Sequence, residues 1–251
     1  MNSLELAAPR AFLRYADFPG AGTPLICLHG LGAASTTDFP LVVSRPALAA
    51  RRSVLVDFFG HGLSDAPADF AYSIAEHAGS IAALMDGLGL RGCAAVGHSM
   101  GGAVAITLAA TRPDLVSRLV LAEPNLGPGG GAFSRRLAAA STAEELGAAL
   151  DWMTGIGMVT RVATFRIAAP FGLQRSAASL VEGTAPTWRE MLCALTIPRA
   201  FLIGERSLPD PDVEVLAACG LKVLVVPASG HDMTYDNPDG FAAQIALALD
   251  A

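Results

Sequence analysis

Residues Gly97-His98-Ser99-Met100-Gly101 leave the backbone few ways to go. They lie between a short apolar run, Cys93 to Val96, and an apolar helical stretch, Gly102 to Ala110. A strand, a sharp turn carrying a serine and a helix therefore follow one another without a spacer. Small residues on either side of the turn let neighbouring backbones approach closely. The turn lifts the Ser99 hydroxyl above the sheet edge, and the next helix presents free N–H groups and a partial positive charge to a developing oxyanion. Ser99 is thus a candidate nucleophile. The uncharged stretch from Cys93 to Thr111 could pass for a membrane span, but His98, Ser99 and the glycines within it fit the turn better.

The same alternation runs through most of the chain. Pro24 to Leu28, Ser53 to Asp57, Cys93 to Val96, Leu119 to Ala122, Ala200 to Ile203 and Lys222 to Val226 read as short buried strands. Arg10 to Phe18 alternates and reads as an antiparallel edge strand or hairpin. Ser73-Ile74-Ala75-Glu76 is a capping box that opens a helix to about Leu88. Met100 to Thr111 is a helix stopped before Pro113. Asn237-Pro238 opens the last helix, through Leu249. Strand–helix alternation with buried strands predicts an α/β fold with a mostly parallel central sheet and helices on both faces.

One region breaks the rhythm. Between Gly127 and about Thr196 there are helical patterns but no strand, which is too long for a plain connection. It reads as a helical cap (127–196) inserted in a core made of 1–126 and 197–251. Its Gly-rich start gives it the freedom of a hinge, and Trp152, Met153, Met158, Phe165, Phe171, Trp188 and Met191 are candidates to line an apolar pocket. Composition bounds the function. The chain is 52% hydrophobic and only 16% charged, with a formal net charge of −6 and no basic run, which argues against nucleic acid as a partner. The four cysteines, Cys27, Cys93, Cys193 and Cys219, show no metal-ligand spacing. They read as small buried hydrophobes in a reducing compartment. With no secretion signal evident, a cytoplasmic protein is expected, with no metal, no nucleotide cofactor and no membrane association.

Four motifs in order resemble the α/β-hydrolase superfamily across nearly the whole chain. They are His29-Gly30-Leu31-Gly32, Asp57-Phe58-Phe59-Gly60-His61-Gly62-Leu63-Ser64-Asp65, the turn at Gly97 to Gly101, and Gly230-His231-Asp232. The resemblance implies a serine hydrolase with a helical cap. It makes His231 the base among the five histidines: His29 and His61 are structural, His77 is on a helix surface and His98 packs beside the turn. It also makes the Leu31 and Met100 N–H groups the oxyanion hole, with both side chains adding apolar wall. Asp57 and Asp65 are turn residues, and Asp232 and Asp236 orient the His231 loop or cap the last helix.

The third member of a serine–histidine–acid triad departs from the family pattern. The acid usually follows the strand that here ends at Gly204, but Ser207 stands in its place. Glu123, at the end of Leu119 to Ala122, is the expected substitute, as in relatives that carry the acid one strand earlier. Asp210 is its rival, with Glu205 and Asp212 behind it. The expected reaction is acyl transfer to water from a small apolar ester, thioester or lactone. Carbon–carbon bond hydrolysis or hydroxynitrile cleavage on the same triad, and a ligand-binding receptor with little turnover, are the alternatives. Nothing in the sequence sets the oligomeric state.

Overall fold

The computed structural model describes residues 1–155 and 162–250. Eight strands form one sheet: β1 (Asn2–Ala7), β2 (Arg10–Phe18), β3 (Ala21–Leu28), β4 (Arg51–Val56), β5 (Cys93–His98), β6 (Val116–Ala122), β7 (Arg199–Gly204) and β8 (Lys222–Val226). Their order is β1-β2-β4-β3-β5-β6-β7-β8. The β1–β2 and β2–β4 pairs are antiparallel and all the others parallel. The inner parallel strands are buried on both faces, so their apolar runs are continuous. Lys222 to Val226, expected as a buried strand, is instead the edge strand β8, in which only Val226 is buried. In β3, Ile26 and Leu28 join the core on one face while Leu25 and Cys27 join the core on the other.

Helices cover both faces. After β3 come the short α1 (Ser35–Asp38) and α2 (Pro40–Val43). The longer α3 (Ile74–Gly87) and α4 (Met100–Thr111) then pack on one face. From Met100 to Ala109 every residue of α4 is buried, which is why that helix is apolar all round. Between β6 and β7 the chain forms α5 (Ala132–Ala139), α6 (Ala143–Gly155), α7 (Val162–Ile167), α8 (Pro170–Glu182) and α9 (Trp188–Ala194). No strand occurs there among the described residues. After β7 come α10 (Asp212–Ala218), α11 (Met233–Asp236) and α12 (Pro238–Leu249), and α12 packs on the second face with Phe241 and Ile245. No helix among the described residues is long and apolar enough to cross a membrane.

The expected α/β architecture is the one found, with differences in detail. β1 carries no buried-strand signature, because as an edge strand it buries only Leu6. Its pairing with β2 sets its register, Leu4 opposite Leu13. The Ser73 hydroxyl accepts from the Glu76 N–H at 3.2 Å, but the Glu76 carboxylate reaches past Ser73 to the Ala71 N–H at 2.6 Å. The cysteine expectation is corrected in half. Cys27 and Cys93 are buried free thiols, and burial pushes the Cys93 thiol up to about 11. Cys193 and Cys219 form a disulfide between the end of α9 and the end of α10. It closes a loop with a sequence separation of 26, a cross-link that stabilises by about 3 kcal/mol in the chain-entropy model. With this pair bonded, cysteine usage no longer argues for a reducing compartment.

Candidate active site

The site is built at the carboxyl ends of β3, β5, β6 and β7. At the turn after β5, Ser99 has φ 52°, a left-handed backbone that a residue with a Cβ rarely adopts and that costs about 1–3 kcal/mol. The flanking glycines make it possible. A Cβ on Gly101 would lie 2.2 Å from the Leu28 carbonyl oxygen, and one on Gly97 would lie 2.5 Å from that of Gly101. The turn is stitched to β6. The Ser99 N–H donates to the Ala122 carbonyl at 2.9 Å, and the Ser99 carbonyl accepts from Gly102 at 2.9 Å and Asn125 at 3.3 Å.

Glu123 follows β6 with φ 40°, a second left-handed residue at the same edge. Its backbone N–H continues the ladder to Leu202 at 3.0 Å, and its carboxylate swings toward the loop after β8. One oxygen accepts from His231 Nδ1 at 2.7 Å and the other from the Gly204 N–H at 3.0 Å. Burial pushes this carboxyl up, but the His231 hydrogen bond and charge, with the Gly204 N–H and the Ser207 hydroxyl, outweigh burial and hold it at about 2. It is therefore ionised throughout the neutral range, and it holds a proton on Nδ1 of His231 so that Nε2 can accept one. Asp210, Glu205 and Asp212 are engaged elsewhere. Asp210 accepts from the Asp212 N–H, Glu205 from the Ala228 N–H, and Asp212 pairs with Arg189.

His231 sits on a braced loop. Gly230 N–H donates to Asp236 at 2.8 Å, and Asp236 pairs with Arg206 at 2.7 Å. His98 Nε2 donates to the His231 carbonyl at 2.8 Å. Sequence reasoning left His98 as simple packing, whereas it ties the serine turn to the histidine loop. Ser99 and His231 line one cavity of about 360 Å³. No hydrogen bond joins their side chains, and such bonds are often long before substrate arrives. The N–H groups of Leu31 and Met100 make no hydrogen bond among the described residues. The Leu31 side chain forms cavity wall, but that of Met100 is fully buried and not part of the lining, so the expectation of an apolar wall holds for Leu31 only.

The insertion supplies the rest of the cavity. Phe133, Ser134, Trp152, Phe165 and Leu180 face Leu31 and Ser99 across it. Of the aromatic and methionine candidates, Trp152 and Phe165 line it. Met153 and Trp188 are buried in the core and Met191 packs against it, while Phe171 is exposed beside Tyr72. Met158 lies outside the described residues. Phe133, Ser134, Leu180 and Asn125 were not expected. Only the position of Phe133 just after the Gly-rich run hinted at one of them. Among the described residues no cluster of three or more His, Cys, Asp or Glu side chains could hold a metal ion.

Beneath the loop after β3, the imidazoles of His29, His61 and His77 pack with Phe58. His29 donates from Nδ1 to the Gly30 carbonyl at 2.7 Å and accepts at Nε2 from the Phe58 N–H at 3.1 Å. Asp57 accepts from the Thr36 N–H and hydroxyl and from the Leu63 N–H, which fixes the turn around His61. His77 is fully buried, not on a surface. The reason is α8, which lies over that side of α3 and brings Ser176 within 3.0 Å of His77 Nε2. Burial lowers His61 to about 3 and His77 well below its ordinary value. Both are thus neutral in the folded state, while the unfolded chain takes up protons below pH ~6.5. For His61, stability is then full above pH ~6.5 and is lost as pH falls toward about 3, by about 1.4 kcal/mol per pH unit, and His77 acts in the same direction. Urea midpoints measured from pH 7 to 5 should fall accordingly, and the slope should flatten in a His61→Asn/His77→Gln variant. A midpoint independent of pH over that range would refute this.

Residues 23–155 match the family model for the alpha/beta hydrolase fold, just over half the chain. Among curated proteins, the chain is 37% identical over 102 residues to a 2-hydroxymuconate semialdehyde hydrolase of Pseudomonas putida, covering 41% of this chain and 36% of that protein. It is 33% identical over 124 residues to an sn-1-specific diacylglycerol lipase ABHD11 of Danio rerio, covering 49% and 38%. The matches thus span little more than a third of those relatives. An esterase from Exiguobacterium antarcticum superposes with a TM-score of 0.80 at 22% identity, over 99% of both chains, which speaks for the fold alone. With the matched stretch carrying the histidine–glycine loop, the serine turn and Glu123, the chain belongs to the alpha/beta hydrolase fold family.

Proposed function

We propose that this protein is a serine hydrolase that transfers the acyl group of a small, mostly apolar ester, thioester or lactone to water. The observation that carries the reading is the 2.7 Å hydrogen bond from His231 Nδ1 to Glu123, beside Ser99 in a shared cavity. His231 Nε2 takes the Ser99 proton as the oxygen attacks the substrate carbonyl carbon. The tetrahedral oxyanion is held by the Leu31 and Met100 N–H groups. His231 then gives its proton to the leaving oxygen or sulfur, the acyl enzyme forms, and water, activated by the same imidazole, releases the acid. The helices at 127–196 act as the cap, since their aromatic side chains supply the wall opposite the nucleophile.

The test is covalent. A fluorophosphonate should label the protein once, at the peptide containing Ser99, and at least one of a series of p-nitrophenyl esters should be turned over. A chain that neither takes the label nor hydrolyses any ester is an inert binder, and this reading would be withdrawn.

A further inference from the structure

One polar side chain in the cavity has no task in the machinery above. Asn125 lines the cavity with Ser99 and His231. Its backbone N–H donates to the Ser99 carbonyl at 3.3 Å, which ties it to the serine turn. Its carboxamide makes no hydrogen bond among the described residues. Three other polar lining side chains are occupied, and Trp152 and Asp232 complete the polar lining. Ser134 donates to the Gly131 carbonyl, His98 holds the His231 carbonyl, and Glu123 holds His231.

The backbone keeps Asn125 rigid. It follows Pro124, whose φ is fixed by its ring, and Pro124 sits so close to α4 that a Cβ on Gly102 would lie 2.4 Å from the Pro124 Cβ. Glu123, anchored at both carboxylate oxygens, precedes them. A carboxamide on a backbone held this firmly offers one acceptor and two donors to the cavity. Most of the wall is apolar, with Leu31, Phe133, Phe165 and Leu180, and none of these four side chains can hydrogen-bond to it. A wholly apolar acyl group that fills the cavity strips water from the carboxamide and returns nothing, whereas a substrate with a matching amide or keto group restores the bond.

From this we infer that Asn125 is a specificity-determining residue, and that the preferred substrates are neutral acyl compounds carrying an uncharged hydrogen-bonding group, an amide or keto function, next to the scissile carbonyl. The inference rests on the reading of this cavity as the acyl site of a serine hydrolase. It goes beyond that reading by assigning a substrate feature and the residue that reads it.

The experiment compares p-nitrophenyl N-acetylglycinate, which has the amide, with p-nitrophenyl butanoate, which lacks it. Each kcat/KM is divided by the ester's rate of alkaline hydrolysis. The native protein should favour the amide ester by about tenfold or more, and Asn125→Leu should lose about 10- to 100-fold on that ester but at most about threefold on the butanoate. Asn125→Ala, checked for folding by circular dichroism, should show the same collapse if leucine disturbs the core. No amide preference in the native protein, or a preference that survives in both variants, overturns the inference. Binding of the two esters to Ser99→Ala protein, read by calorimetry, separates the two levels. A preference that appears in binding and vanishes on adding Asn125→Leu supports the role of Asn125 even if turnover fails. Equal binding of both esters overturns it even if the hydrolase reading stands.

Discussion

Ser99→Ala should lower kcat on any ester the protein hydrolyses by about 10⁴- to 10⁶-fold, with substrate binding kept. The remaining activity would come from the Leu31 and Met100 donors and from binding, which do not need the hydroxyl. Stability should hardly move, because alanine keeps the Cβ that makes φ 52° unfavourable. Ser99→Gly removes it and should gain about 1 kcal/mol in the unfolding free energy while being equally inactive. Steady-state kinetics with a thermal or urea melt on the three proteins checks both halves. Turnover within tenfold of the native protein in Ser99→Ala would remove the nucleophile from the proposal, and the mechanism with it.

Glu123→Gln should cost about 10³- to 10⁴-fold in kcat. Glutamine preserves the shape and can still accept from the Gly204 N–H through its oxygen. Its NH₂ then faces His231 Nδ1 as a donor, so the imidazole turns to the tautomer with its proton on Nε2, where it cannot accept one from Ser99. The negative charge that stabilises the imidazolium is lost as well. Asp210→Asn should stay within about threefold, since Asp210 serves the Asp212 N–H and not the histidine. The opposite ranking of the two variants would return the acid to the loop after β7. The carboxyl of Glu123 lies at about 2, so loss of activity on mild acidification has to come from another group.

Much of the fold was legible because buried parallel strands are short apolar runs, and this chain punctuates them with glycine, aspartate and histidine. The boundaries of α4 and α12 were legible for a local reason, a strained turn before one and Asn237-Pro238 before the other. What failed depended on partners remote in sequence. His77 looked like a surface residue because α3 was read alone, without the α8 that covers it. The Cys193–Cys219 bond joins segments that only the β7–β8 pairing brings together, and spacing does not give connectivity. At the site, the serine at position 207 signalled that the usual acid was missing. The structure adds that the carboxylate of Glu123 takes the bond to His231 and a second one from the Gly204 N–H at the end of β7. Asn125 and Leu180 carry no motif, and their place beside Ser99 in the cavity shows only in three dimensions.

The position of Glu123 has a consequence for how the reactive geometry comes together. Glu123 and Ser99 belong to one strand–helix–strand crossover, β5, α4 and β6, closed by the bond from the Ser99 N–H to Ala122. His231 lies beyond β8, and its loop meets them through the parallel pairing of β7 on β6 and of β8 on β7. On the proposed mechanism, a change that loosens β7 or β8 from the sheet would therefore part the base from the other two residues while leaving those two in register.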